Sequence, residues 1–520
     1  MYLNKSNPKA EAEEAETAKI DPSDLEQDVR DGSNWKGLEK LSSSEDETNK
    51  AMIFPLSVED ESNGEGITYF NMSKEAESNW EETEKEALVS LSEAAKKIVP
   101  SHFAAFIDEI KLVPQTDLLR VNVYLNKAFS QVSSLPWFNM LKKSPLSDVP
   151  FSHIPKSVFE TAVECCINKL PFYTHWNFVM WALDRLLIDW AAHARGEEQP
   201  LTQYQVATLV ELAMVLRASP DSLTCLLPML RGRPMYHGQD KLPLIVWMMA
   251  QAFQSDLPAA LYSWAHNLLP LVVNNDECYS SQSIDLILQF VEKILSSNPK
   301  ARVLLLLNKN VRNGEVLIPP PSFETLVRLT FPPPSARVEG ATERFEAIYP
   351  LLKEVALAPG SCALQHNIFT FSLKLAGGQG NPALANEATA IAISVLTQNV
   401  DCFTQWEILY KENLEASVLL LKKLVDEWKD HCLKLSPCSD DARTVKHAMY
   451  SFRMENEKAI TEGVVNLSLY KEADKSCKLI LRRLLSRGSG GLGIGSLTAM
   501  FIAAAGGIVG AALTLYISCK

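Results

Sequence analysis

The 520-residue chain has no broad basic region. Its formal charge of −13 has one source. Residues 1–100 hold 24 Asp and Glu against 11 Lys and Arg, and the rest of the chain balances at 39 of each sign (63 less 24, and 50 less 11). Phosphate backbones are held by concentrated Lys and Arg, so nucleic acid is not an expected partner. Paired cysteines are missing too. Ten cysteines are scattered from Cys165 to Cys519 without a C-x-x-C set. That excludes a small disulfide framework and suits a reducing compartment, with most thiols buried.

Catalytic and metal motifs are equally scarce. The nine histidines form no H-E-x-x-H and none pairs with cysteine at zinc spacing. Neither a P-loop, a nucleophile elbow nor a kinase set is present. Adjacent Cys165 and Cys166 fall in an apolar helical stretch, where thiols are usually inert, and His193 and His266 fall on apolar helices as core or rim residues. Asp184, Arg185 and Asp189 have the spacing of ordinary i, i+4 pairing. The chain is therefore not read as an enzyme, and no catalytic residue, cofactor or metal is expected. A site assembled from distant residues is the remaining alternative. The start, Met1 to Glu16, lacks the apolar core of a secretory signal.

A long uncharged run does stand at the other end. No charged residue occurs from Gly488 to Cys519, and Leu497–Ile517 supplies 21 residues. At about 1.5 Å per residue that is roughly 31 Å of helix, the thickness of a bilayer core. Arg482, Arg483 and Arg487 precede the run and only Lys520 follows it. Basic residues favour the cytosolic side, which predicts a C-terminal membrane anchor with the N-terminal bulk in the cytosol. A buried hairpin helix is the rival reading. Gly506 and Gly510 form G-x-x-x-G, which permits close approach of two helices and so a homodimer. The GSGGLG run at 488–493 matches a dinucleotide fingerprint by letters alone. It follows a basic helix and opens the apolar run, so it reads as a flexible joint.

Residues 1–82 form an acidic arm with few periodic apolar residues, the composition of disorder. Ser42, Ser43 and Ser44 each have an acidic residue three positions on, which marks them as candidate phosphorylation sites. A capping box at Thr83–Glu86 opens an all-α body spanning 83–485, with a sub-boundary near 310–340. Helices are expected at 156–170, 175–194, 205–218, 241–253, 260–273 and 283–296. Asn298-Pro299 and Asn381-Pro382 read as helix starts, and two proline triplets bracket a short helix at 322–331. Helices of this length on short loops suggest stacked hairpins, solenoid-like in the HEAT/armadillo manner. Residues 486–496 are the Gly-rich joint and 497–517 the membrane helix. The stripe Leu414, Val418, Leu421, Val425, Trp428, Cys432 and Leu435 has heptad spacing. It reads as packing on its own domain rather than as a coiled-coil seam.

Several strings go beyond pattern: FSHIP (151–155), LAMVLR (212–217), GQDKLPLIVWMMAQA (238–252), LYSWAHNLLP (261–270), LIPPPSFE (317–324), ATERFEAIYPLLKEVALA (341–358), LYKENLEAS (409–417) and LYKEADKSCK (469–478). In this order they resemble the plant branch of the transmembrane-protein-214-like family over roughly 90–490. The resemblance implies a helical cytosolic body on the endoplasmic reticulum membrane. In animal relatives it implies a docking platform in stress-linked cell-death signalling. Animal relatives are drawn with two spans and this chain offers one. The expected function is a tail-anchored scaffold that recruits cytosolic proteins, in the reticulum rather than the mitochondrial outer membrane. A lipid-binding module with helices 241–273 around a cavity is the alternative.

Overall fold

The computed structural model describes residues 89–486, apart from 110–116, 133–134, 196–203, 274–279, 297–299, 308–309, 313–314, 359, 379 and 429–438. Its first helix opens on a capping box at Ser90. The Glu93 backbone N–H donates to Ser90 Oγ at 3.3 Å, and the Ser90 N–H donates back to the Glu93 carboxylate at 3.1 Å. The box expected at Thr83–Glu86 lies outside the described residues.

The first helices are α1 (Leu91–Lys96), α2 (Pro100–Glu109), α3 (Asp117–Ala128), α4 (Leu135–Lys143), α5 (Lys156–Cys165), α6 (Phe172–Ala194) and α7 (Tyr204–Ala218). Next come α8 (Asp221–Thr224), α9 (Leu227–Gly232), α10 (Leu242–Phe253), α11 (Leu257–Ser263), α12 (Ser281–Ser296) and α13 (Ala301–Leu307). A short antiparallel hairpin, β1 (Asn310–Arg312) and β2 (Glu315–Val316), precedes α14 (Pro320–Thr330). The remainder is α15 (Glu339–Ala356), α16 (Cys362–Ala376), α17 (Pro382–Gln398), α18 (Cys402–Leu409), α19 (Leu414–Asp426), α20 (Asp440–Glu462) and α21 (Leu467–Ser486). The described body is all-helical but for that hairpin.

Two helices are enclosed on every side. Residues 205–216 of α7 are all buried, as is every residue of α10 except Pro243. A helix apolar all round belongs at the centre of a core, and α7 packs against α3, α6 and α10. From α14 onward contacts run mainly between near neighbours: α14 with α15, α16 with α17, α19 with α21, α20 with α21.

Two expected helices break, the second of them at a proline. The helix expected over 156–170 stops at Cys165, and Ile167–Lys169 tightens into a 3-10 turn. Leu170 is then extended (ψ 145°), as sterics require before Pro171. The helix expected over 260–273 becomes α11, a π turn at Trp264–Leu268 and a 3-10 turn at Leu269–Val272. Pro270 has no N–H for the His266 carbonyl, and Arg231 supplies the missing donor at 2.9 Å.

The strings singled out in the sequence meet in space. Arg217 lies over the Phe151 ring at 3.7 Å, pairs with Asp148 and donates to Gln251 at 2.7 Å. Trp247 Nε1 donates to the Val149 carbonyl at 2.8 Å. Thus 151–155, 212–217 and 238–252 form one joint. Ser322 Oγ donates to the Ala265 carbonyl at 2.7 Å, joining 317–324 to 261–270. These strings carry paired packing positions. Asn381 also caps as expected, accepting from the Leu384 N–H at 3.2 Å.

Candidate interaction surface

Among the described residues no three or more His, Cys, Asp or Glu are placed to hold a metal. The most chemically suggestive group is at the start of α16. Cys362 Sγ lies 3.4 Å from His366 Nε2, one turn along the helix, and accepts from Asn399 Nδ2 at 3.4 Å. Asp401 contacts the sulfur at 3.9 Å. A Cys nucleophile needs a base whose ring is steered by a third group. Here Asn399 and Asp401 engage the sulfur rather than the imidazole, and the thiol is exposed. Sequence reading missed this cluster because its members are separated by up to 39 positions.

The π turn carries a second polar group. Tyr262 stacks on His266 with ring centres 3.8 Å apart and its hydroxyl donates to Glu315. His266 Nε2 meets the Val316 carbonyl at 3.3 Å, and burial holds this imidazole below the usual histidine range. A neutral ring donating to a carbonyl is tying α11 to the β-hairpin, which agrees with a core or rim role. Arg185 and Asp189 pair as spaced, at 3.8 Å, while Asp184 accepts from the Tyr236 hydroxyl at 2.7 Å. A shallow cleft of about 670 Å³ opens where Lys142, Lys143, Asp240 and Ser283 converge.

The C-terminal hairpin places the basic flank. Helix α20 ends at Gly463 in the left-handed region (φ 68°), Asn466 adopts the same region (φ 69°), and α21 returns antiparallel alongside. The two helices are stapled by Arg453 to Asp474 at 3.0 Å, and α19 adds Lys422 to Glu472 at 2.6 Å. Leu414, Val418 and Leu421 are buried in α19, so the heptad stripe packs on its own domain as read; Cys432 and Leu435 lie outside the described residues. The three flanking arginines are not alike. Arg482 is exposed, whereas Arg483 turns inward, donates to the Val425 carbonyl and lies 5.8 Å from the Trp428 ring centre. Arg487, Gly506, Gly510, Ser42, Ser43 and Ser44 lie outside the described residues, as does the run 497–517. Among the described residues no helix is long and apolar enough to cross a membrane.

These features define an all-helical protein whose described polar groups mostly tie helices together. The chain belongs to the transmembrane protein 214 family: the family model described as "TMEM214, C-terminal, caspase 4 activator" matches residues 37–510. It is also similar to transmembrane protein 214-B of Xenopus laevis, at 24% identity over 282 residues, which is 53% of this chain and 37% of that relative. The match therefore spans little more than a third of the relative's length. No solved structure matches.

Proposed function

We propose that the chain is a tail-anchored recruitment platform: a stacked-hairpin helical body held on the endoplasmic reticulum membrane by Leu497–Ile517 and facing the cytosol. The observation that carries this is the outward display of large apolar side chains on adjoining helices of the body. Ile408 of α18 is 71% exposed and Met454 of α20 is 73% exposed, with Tyr450 beside it on the same helix face. The two helices are locked in register by Glu407–His447 at 3.1 Å and Lys411–Glu455 at 2.7 Å. Rigid elements with exposed aromatic and Met side chains are what protein contacts use.

The family description names a caspase activator. Activating a protease by recruitment needs surfaces and confinement rather than a catalytic centre. Confinement to a membrane raises the effective concentration of whatever the body holds. Pairing of two anchors through Gly506 and Gly510 would double the recruited load. The alternative, a lipid-transfer module, requires helices 241–273 to enclose a tunnel. Trp247, Met248, Met249, Trp264 and Leu268 are instead fully enclosed within one continuous core.

Proximity labelling from an N-terminal tag in intact cells, paired with protease protection of sealed reticulum vesicles, tests the reading. Digestion of the tag together with labelling of cytosolic proteins is the expected result. A protected tag, or labelling of luminal neighbours alone, overturns both the topology and the recruitment mechanism.

A further inference from the structure

Helix α21 is the last described element, and its two faces differ sharply. Ala473, Cys477, Ile480 and Leu484 are buried against α19 and α20. On the opposite side Lys471, Lys475, Lys478, Arg482 and Leu485 are all exposed. Their spacing of 4, 3, 4 and 3 puts them within an arc of about 80° at about 100° per residue. The four cations form a straight row about 16 Å long, at about 1.5 Å of rise per residue. Leu485, 55% exposed, closes the row at its C-terminal end.

Among the described residues, three of the four cations in this row keep their charge unpaired. Glu472 is held by Lys422 at 2.6 Å. Asp474 is shared between Arg453 at 3.0 Å and Lys478 at 2.5 Å. On the adjoining α20, Glu457 is taken by Arg453 at 2.6 Å and Glu455 by Lys411 at 2.7 Å. Lys471, Lys475 and Arg482 have no acidic partner among the described residues. Sequence continuity adds a second argument. Only ten residues, 487–496, separate the end of α21 from the uncharged run at Leu497. Ten residues reach at most about 36 Å, so a membrane that holds the run lies within reach of the row.

We propose that the outward face of α21, formed by Lys471, Lys475, Lys478, Arg482 and Leu485, rests on an anionic lipid surface and lays the helical body along the membrane. A row of cations spaced along one helix face, with an apolar side chain at the end nearest the span, is complementary to a plane of acidic headgroups. Arg483 takes no part. Its guanidinium is spent on the Val425 carbonyl and the Trp428 ring, which fixes the rotation of α21 so that the other four point outward. The proposal rests on the reading of Leu497–Ile517 as a membrane span.

The test uses the full chain reconstituted into neutral vesicles and into vesicles containing anionic lipid. Lysines are modified with a membrane-impermeant acylating reagent and read by mass spectrometry, and each sample is also washed with alkali. A cation near an acidic surface gains about 1 kcal/mol, roughly a fivefold effect. Lys471, Lys475 and Lys478 are therefore expected to react about fivefold more slowly on anionic than on neutral vesicles. Lys374, exposed on α16 and without an acidic partner among the described residues, serves as the unshielded reference. High salt, or the double variant K475E/R482E, is expected to restore the rate at Lys471 and Lys478 while Lys374 reacts as before. Equal rates on both vesicle types in a chain that survives the wash overturn the lipid face and leave the span standing. Shielding by anionic vesicles in a chain that the wash removes upholds the lipid face and overturns the span.

Discussion

Glu211 sits midway along α7 with 1% of its surface exposed. Among the described residues neither carboxylate oxygen has a hydrogen-bond partner. Asn122 lies near enough to favour the charged form, but burial outweighs it and pushes the carboxyl well above its ordinary 4.5. The sign follows from linkage. Above pH 4.5 the unfolded chain releases this proton while the folded chain keeps it, so stability falls as pH rises until the folded carboxyl ionises. The slope is up to about 1.4 kcal/mol per pH unit. Glu211→Gln removes the titration, so its melting temperature should exceed the parent's by more at pH 8 than at pH 5. An equal difference at both would show that Glu211 is not protonated in the fold.

The cysteines separate by the same logic. Burial pushes the Cys402 and Cys477 thiols up to about 12, leaving on the order of one thiolate in ten thousand at pH 8. Cys362 is the exposed thiol among the described six. Iodoacetamide at pH 8 is expected to label Cys362 in the folded chain, with Cys402 and Cys477 reacting only in denaturant. Mass spectrometry of the peptides reads this directly. The exposed Cys362 could not have been picked from the sequence, because its setting depends on Asn399 and Asp401 folding back from the turn after α17.

At the scale of elements, the sequence shows helix existence better than helix continuity. The expected helices 175–194, 205–218, 241–253 and 283–296 correspond to α6, α7, α10 and α12 within a few residues. Apolar spacing and length carried those readings. Breaks were hidden because they depend on a partner elsewhere. Nothing in LYSWAHNLLP says that Arg231, 35 positions away, will donate to the carbonyl that Pro270 leaves without a partner. The inward turn of Arg483 is hidden for the same reason, since three neighbouring arginines look equivalent until α19 is placed beside them. Asn381 shows what local chemistry can reveal and what it cannot. Its cap was legible from Asn-Pro, but its Nδ2 also donates to the Phe331 carbonyl at 2.7 Å. Asn381→Ala should lose about 1–2 kcal/mol in urea unfolding of the detergent-solubilised chain. Asn381→Asp keeps the cap acceptor and loses the donor, so it should fall between the two.

For the whole molecule, the strings that carry the family resemblance are joints between helices. Within LYKEADKSCK (469–478) nothing local separates the outward Lys471, Lys475 and Lys478 from the inward Ala473 and Cys477, which is why the family could be read from the sequence and its contact surfaces could not. The joints also bear on the boundary expected near 310–340. Arg344 of α15 reaches back to Glu292 at 2.6 Å and Asp285 at 2.5 Å, both on α12, and Asn381 of the α17 cap holds Phe331. Core residues from Leu91 to Leu484 belong to one continuous cluster. A calorimetric scan of the detergent-solubilised chain is therefore expected to show one cooperative transition. Two separable transitions would restore the boundary.

The grip of α19 and α20 on α21 has a mechanical consequence. Ser486 is its last residue, and a pull applied there along the helix axis is borne by the whole length of the helix. Because α20 runs antiparallel beside it and α19 flanks it, an axial pull loads the Arg453–Asp474 and Lys422–Glu472 bridges and the buried row of Ala473, Cys477, Ile480 and Leu484 together. Such contacts resist in shear, all at once, rather than peeling apart one after another. The Arg483 tie to the Val425 carbonyl takes the first share, being the last side-chain clamp before the end. Helix α21 is thus built to bear an axial load without peeling away from its neighbours.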